Sequence, residues 1–434
     1  MLRHRRRLDA FFVYLVISGV STFASALMFT VLAVYYVSAV GMNPFQLVLV
    51  GTVLESVILL FEVPTGVVAD TYSRRLSVII GTVILGAAFV LEGAVPLLAG
   101  VLAAEAIRGV GETFLSGATD AWLADEVGEE QVGRAYLRAA QVGRGVGILG
   151  VLASVGLASV QLALPVILGG ALYLALGVFL ALYMPERGFR PAPQAERASW
   201  RAMFGTFSAG ARVVRASPVL LALLAVNLVG GAASEGFDRL WEAHILLDFS
   251  FPSLGALKPV VWFGIINIGT AIVSMAITAA FQRRLDTISQ SSRSTARVLL
   301  VLNGLIVASV IAFALAGSFA LAFAMLALKA VLHSLSGPLY SAWLVQQTGP
   351  QTRATVLSIG SQSNALGQTV GGPVVGAIGT FFSLRAALAV AGALLAPTLV
   401  LYARTLRHAG LNGDAAVAAE VRSEGALGEA ERRA

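Results

Sequence analysis

Arg108-Gly-Val-Gly-Glu112, followed by Ala121-Trp122-Leu123-Ala-Asp125-Glu126-x-Gly128, is the stretch whose reading decides the fold. It recurs as Lys329-x-x-x-His333 followed by Ala342-Trp343-Leu344-Val-Gln346-Gln347-x-Gly349, every position displaced by 221 residues. A two-residue shortening then brings Arg134-Ala135 into register with Arg353-Ala354. Tryptophan and a cation inside an apolar run are both rare, so a shared Ala/Leu/Gly-rich composition does not account for the match. Both copies run in the same direction, which makes this a parallel duplication of the kind from which secondary transporters are built.

The surrounding chain is lipid-like. Of 434 residues, 57% are hydrophobic and 12% charged, with a mean hydropathy of +0.82; soluble domains carry about 25% charged residues. A spanning helix needs about 20 mainly apolar residues. Twelve such runs occur, near 10–38, 44–69, 76–96, 98–123, 137–160, 163–184, 218–246, 259–281, 298–316, 319–345, 355–379 and 384–404. The expected fold is an all-α polytopic membrane protein of twelve transmembrane helices in two parallel-repeat six-helix bundles. Its parts are an N-terminal bundle (1–184), a cytoplasmic linker (185–217), a C-terminal bundle (218–405) and a cytoplasmic tail (406–434). In the linker Trp200, Met203, Phe204 and Phe207 share a helical face near Arg197, Arg201 and Arg212. That pattern suits an interfacial amphipathic helix, and a simple tether uses the same residues. The basic start resembles a signal peptide, but the apolar run behind it exceeds a cleavable h-region and reads as an uncleaved first span.

The formal charge is +6, and in a soluble domain so basic a chain would suggest nucleic acid. Here 24 of the 30 Lys and Arg fall in segments on one side of the spans, two (Lys258 and Arg385) on the other, and four within spans. The positive-inside rule therefore places both termini in the cytoplasm of a plasma (inner) membrane protein, with no nucleic-acid partner. With no cysteine, disulfide and thiolate chemistry is excluded. Neither lysine belongs to a Gly-Lys-Ser/Thr phosphate loop, and no histidine cluster, metal set or cofactor motif is present, so an enzyme is not expected.

The loop after the second run reads Glu62-Val-Pro-Thr-Gly66-Val-Val-Ala-Asp70-Thr-Tyr-Ser-Arg74-Arg75. Gly66-x-x-x-Asp70-x-x-x-Arg74-Arg75 resembles the signature loop of the major facilitator superfamily. It departs from that pattern at Thr71 and Ser73, where the family usually has a basic residue and glycine. Arg108-Gly-Val-Gly111-Glu112 and the Phe61-Glu-Val-Pro-Thr-Gly wording are similar to bacterial drug:proton antiporters, the multidrug-efflux members. The antiporter proline of the fifth run is missing; Gly-Gly-Pro occurs instead as Gly371-Gly372-Pro373 in the eleventh. The resemblance implies a central cavity lined by spans 1, 4, 7 and 10, and a cytoplasmic latch. In that latch Asp125 and Glu126 would meet Arg74 or Arg75, and Asp70 would meet the start of span 11 near Arg353. A helix stop with positive-inside arginines explains the loop equally simply. The resemblance also places spans 5 and 11 at the seam between the halves, packed through Gly143, Gly147, Gly371, Gly372 and Pro373.

Charge at membrane depth is costly and marks functional sites. Glu105, Arg108 and Glu112 share one face of span 4, Arg108 about 15 Å deep at 1.5 Å per residue. Lys329 enters span 10 to the same depth, one turn from His333, and the family likeness sets the two cations opposite each other across the cavity. They would hold an anionic or acceptor-rich substrate or tune a proton-carrying acid, for which Glu112 fits best, with Glu105 and Asp120 behind it. A self-neutralising Glu105–Arg108–Glu112 network is the plainer alternative. Glu235, Asp238, Arg239 and Glu242 of span 7 read as an outer gate or as a wet helix end; Glu55 and Glu92 have no evident role. The expected function is secondary active export of a small organic molecule by alternating access, driven by proton antiport, with protons and the lipid bilayer as partners and a monomer sufficing. Uptake on the same fold and a non-transporting membrane sensor remain the alternatives.

Overall fold

The computed structural model describes residues 8–190, 212, 214–215, 217–255, 257–348 and 353–406. The proposed linker helix around Trp200, the tail and the first basic residues lie outside them. The helices are α1 (Ala10–Val40), α2 (Pro44–Thr71), α3 (Arg74–Ala94), α4a (Leu98–Leu115), α4b (Ala118–Val127), α5 (Glu129–Val160) and α6 (Leu164–Tyr183). The second half repeats them as α7 (Pro218–Asp248), α8 (Val261–Ser289), α9 (Ser292–Ala314), α10 (Phe319–Gln346), α11 (Arg353–Phe381) and α12 (Leu384–Leu406).

Polar side chains start these helices at the membrane boundary, where free N–H groups would otherwise be orphaned. Asn43 and Gln46 form a reciprocal capping box, with Pro44 opening α2. Ser73, Ser217, Ser291, Ser318 and Ser383 cap α3, α7, α9, α10 and α12.

Among the described residues, ten helices are long and apolar enough to cross a membrane. The two expected spans outside that set, 98–123 and 355–379, are helical and fall outside it for identifiable reasons of composition. Span 4 carries Glu105, Arg108 and Glu112 and breaks at Ser116-Gly117, where Gly117 has φ 67°, a conformation that favours glycine. Span 11 is rich in small and amide residues, Ser361, Asn364, Gln368, Gly371 and Gly372 among them.

The duplication reappears in the packing. In the first half α1 packs on α5 and α6, α3 on α4a and α6, and α2 on α4a. In the second half α7 packs on α11 and α12, α9 on α10 and α12, and α8 on α10, so each pair has its counterpart. Trp122 and Trp343, the paired tryptophans of the repeat, are each 1% exposed. The halves meet along α2 with α11 and α5 with α8.

Those seams are closed at the end away from the arginine-rich loops. There the Phe45 N–H donates to Thr380 Oγ1 (2.8 Å), and the Lys258 ammonium donates to the Ser159 carbonyl (2.5 Å). Val48 lies against the Gly372 and Gly376 backbone, and Val155 against Gly264. Toward the basic end Leu137 and Arg138 of α5 are exposed, as are Ala279, Ala280 and Phe281 of α8.

Candidate transport site

Arg108 is the centre of the first buried polar region. Its Nη1 donates to Glu105 Oε1 at 2.6 Å, while its Nε stands 4.0 Å from Glu112 Oε1. Glu105 is fully buried, Arg108 nearly so, and the Glu112 side chain is 43% exposed. The guanidinium also lies 5.4 Å from the ring centres of both Phe29 and Phe89, so an aromatic cage contributes cation–π attraction to a charge that has lost its water. Around it stand Glu92 of α3 and Tyr36 of α1; the Tyr36 phenol donates to Glu92 Oε1 and lies 3.3 Å from Glu105 Oε1. Asp120 is not part of this region. The break at Gly117 carries it to the basic end, where it is exposed and accepts a hydrogen bond from Tyr136 (3.1 Å).

The second region is a cavity of about 460 Å³ lined by α7, α9, α10, α11 and α12. Lys329 and Asp238 pair in its wall at 3.1 Å, with the Lys329 ammonium 4.2 Å above the Phe237 ring. His333 and Tyr340 line it one and three turns further along α10. An amide ladder forms another wall: Gln368 donates to the Asn364 side chain (2.6 Å), Asn364 to the Asn227 carbonyl (3.3 Å) and Asn227 to the Gly360 carbonyl (3.2 Å). The lining runs from Asp238 and Lys329 at mid-helix to Val226, Leu299, Ser341 and Tyr402 toward the basic end. Arg108 does not line it: Glu105 and the two phenylalanines hold it inside the first bundle, so the two repeat cations do not face one another across this void.

The span 7 set divides in two. Asp238 belongs to the cavity, ten residues from the far end of α7 just as Lys329 is ten from the start of α10. The expected outer gate counted depth from residue 218; α7 continues to Asp248, and Asp238 stands two-thirds of the way along it, level with its partner Lys329. Glu235 (4% exposed) bonds Arg239 Nε at 2.9 Å, and Glu242 is 9% exposed, so neither is a wet helix end. Glu235 and Arg239 press on α2 at Gly51, where an added Cβ would stand 2.6 Å from Arg239 Nε. A side chain at position 51 would displace the tips of Glu235 and Arg239.

The glycines also separate. Gly143 and Gly147 face Thr22 of α1 inside their own bundle, whereas Val151 and Val155, one and two turns further along α5, lie against Gly264 of α8. Gly371 meets Ala232 of α7, whereas Gly372 touches both Glu235 and Val48 and so does lie on the seam; Pro373 sits within α11 between these contacts.

At the basic loop, Arg74 Nη1 bonds Asp125 Oδ2 at 2.5 Å and Nη2 stands 3.6 Å from Asp70. Arg75 donates instead to the Met184 and Ala181 carbonyls (2.8 and 2.7 Å). Glu126 turns to the N–H groups of Arg187 and Gly188 rather than to an arginine, since the chain leaving α6 passes directly over it. These contacts join α3, α4b and the end of α6, all of the first half. Asp70 is 63% exposed, Gly66 has open space beside it, and the Arg353 side chain lies outside the described residues.

Two bundles in parallel repeat, a signature loop bonded as above and a polar void opening toward one end agree with the comparison with known families: the profile of the Major Facilitator Superfamily matches residues 14–290. The chain belongs to that superfamily. A curated relative, the uncharacterized MFS-type transporter YxaM of Bacillus subtilis (strain 168), is 22% identical over 364 residues, covering 82% of this chain and 86% of its own. The nucleoside transporter NupG superposes with a TM-score of 0.69 at 14% identity, over 93% of this chain and 99% of that one. A POT family transporter in complex with 5-aminolevulinic acid gives 0.69 at 12% identity, over 92% and 96%. This is therefore a major facilitator transporter, a multi-pass membrane protein.

Several residues of the superfamily member's interior were not singled out by its sequence. Tyr36 carried no signal, and Glu92 stood out only as an acid in an apolar run. Asn364 and Gln368, spaced i, i+4, form a polar stripe visible in the sequence, but only the fold shows that it faces Asn227.

Proposed function

We propose that this transporter exports a small polar organic molecule by alternating access, in exchange for protons. One observation supports it most: a void of about 460 Å³, within the 300–1,000 Å³ usual for small-molecule sites, carries an ion pair, an imidazole and an amide ladder and runs toward one end while the other is sealed. By the positive-inside argument the open end faces the cytoplasm. Lys329 and Asp238 offer a substrate both a cation and an acid; Lys329 anchors an anionic or acceptor-rich group, and the amides orient the rest. The exchange of protons is supported by the charge inventory. Glu92, Glu105, Glu235 and Glu242 are buried, and the guanidiniums beside them are those of Arg108 and Arg239, so protons are the available counter-charge. Glu112, partly exposed beside Arg108, communicates between the buried acids and water. Arg74, Asp125 and Asp70 would form half of a latch that meets α11 when the basic end closes.

A thermal-shift screen of purified protein against diverse compounds at two pH values finds the ligand. The stabilisation by a true substrate should fall at least tenfold in apparent affinity in Lys329→Gln. Vesicles of both orientations with an imposed proton gradient then give direction. Movement of that compound toward the basic-loop face with the proton, in place of exchange against it, would make the protein an uptake permease. Stabilisation indifferent to Lys329 for every hit would remove the cavity as the binding site.

A further inference from the structure

We propose that the exchanged proton is loaded on the Glu92–Glu105 pair and that Tyr36, at the end of α1, is its gate. The proposal rests on the transport reading above but assigns a site that the repeat and the substrate cavity do not include. Glu92 is 1% exposed, two residues before α3 ends, and Glu105 is 0% exposed on the neighbouring α4a. Tyr36, 3% exposed, donates to Glu92 and lies 3.3 Å from Glu105 Oε1. A phenol has one proton and serves one carboxylate at a time. Glu105 Oε1 is already taken by Arg108, and Glu105 Oε2 is buried among the described residues with no hydrogen-bond partner. Two ionised carboxylates and one guanidinium sum to −1; one added proton makes the enclosure neutral. One guanidinium does not cancel the charge of two buried carboxylates, so the added proton is shared within the Glu92–Glu105 pair.

The groups that face Glu92 come from several elements. From α4a they are Glu105 and Arg108, and from α7, across the seam, Arg239 lies within Coulombic reach. From α1, Tyr35 donates to the main-chain carbonyl of Glu92 (2.8 Å) beside Tyr36. From α6 the neighbour of Gly93 is Ile167, and Glu55 of α2 lies within electrostatic range of Glu235, Arg239, Arg108 and Glu112.

The gate follows from the backbone. Tyr36 begins a π-helical turn, Tyr36–Val40, and such turns gather at functional sites. The preceding turn, Leu32–Tyr35, packs on α7 of the other bundle, the helix that carries Glu242. When the bundles part at this end, α1 is drawn with the seam. The phenol then leaves Glu92, water reaches the carboxylate, and a proton is exchanged as COOH to COO⁻ plus aqueous H⁺. Closure restores the phenol and isolates the proton from that side.

The test is infrared spectroscopy of the purified full chain in lipid nanodiscs, following the carboxylic C=O band as pH rises. Wild type should keep a protonated-carboxyl band at neutral pH that Glu92→Gln lacks; Tyr36→Phe should shift its frequency, and Glu130→Gln, an exposed control, should leave it unchanged. A folded Glu92→Gln protein with the full band overturns the proposal. If that variant does not fold, Tyr36→Phe decides: an unshifted band overturns it and a shifted band supports it. A band that behaves as stated, with no gradient-driven movement of any compound in vesicles, would instead defeat the transport reading and leave the proton site standing.

Discussion

At the scale of single residues, the fold concentrates cost and control in Arg108 and Glu105. Removing one partner of a buried pair leaves an uncompensated charge, worth about 3–5 kcal/mol, whereas removing both costs much less. Arg108→Met should therefore strongly lower the melting temperature in detergent, and Glu105→Gln should recover most of the loss in the double variant. Additive losses would show that the pair is not coupled. The sequence showed this pair, because i, i+3 spacing on one helix is local information. Glu92 and Tyr36 were not legible in the same way. Which acid meets which phenol depends on how α1, α3 and α4a stack, and no period within one helix encodes that. Asp238 was legible as a charged residue of span 7, but its pairing with Lys329 was not, because that contact depends on how α7 and α10 are set beside each other.

At the scale of elements, the duplicated α4 and α10 retain a tryptophan each but have settled its hydrogen bond differently. Trp122 Nε1 donates to the Pro185 carbonyl at 2.7 Å, while Trp343 Nε1 is buried without a partner among the described residues and its ring stacks on Tyr402. Trp122→Phe should lose a net hydrogen bond and strand a buried carbonyl, roughly 1–3 kcal/mol. Trp343→Phe removes an orphaned donor and should cost less, or stabilise. Thermal unfolding of the two variants side by side tests the order; the reverse order would contradict it. The repeat that made the architecture readable does not make the two copies chemically equal, and the sequence alone could not say which donor finds an acceptor.

At the scale of the whole molecule, the closed end rests on close backbone approach. A side chain at Gly51 would meet the ends of Glu235 and Arg239, so the bulky Gly51→Leu should push that ion pair off α2 and favour the conformation open at that end. The chain has no native cysteine, so spin labels can be placed without background. One pair would join Leu97→Cys to Leu257→Cys at the closed end, and another Tyr72→Cys to Gln290→Cys at the basic end. In Gly51→Leu the first distance should lengthen and the second shorten; unchanged distributions would mean that closure does not depend on this contact. The twelve-helix plan was readable because lipid enforces long apolar runs. The resting conformation was not, because the glycines of α5 and α11 carry the same small-residue signature whether they pack within a bundle or between two.

The cavity and the Arg108 enclosure lie in different copies of one ancestral unit. The first copy has filled its interior with Phe29, Phe89, Tyr173 and charge, while the second has kept a void. This separation makes the protein modular in descent. Substitutions on α9, α10 and α12 should therefore reshape the void without touching Glu92, Tyr36 or Glu105, whereas α7 borders both regions.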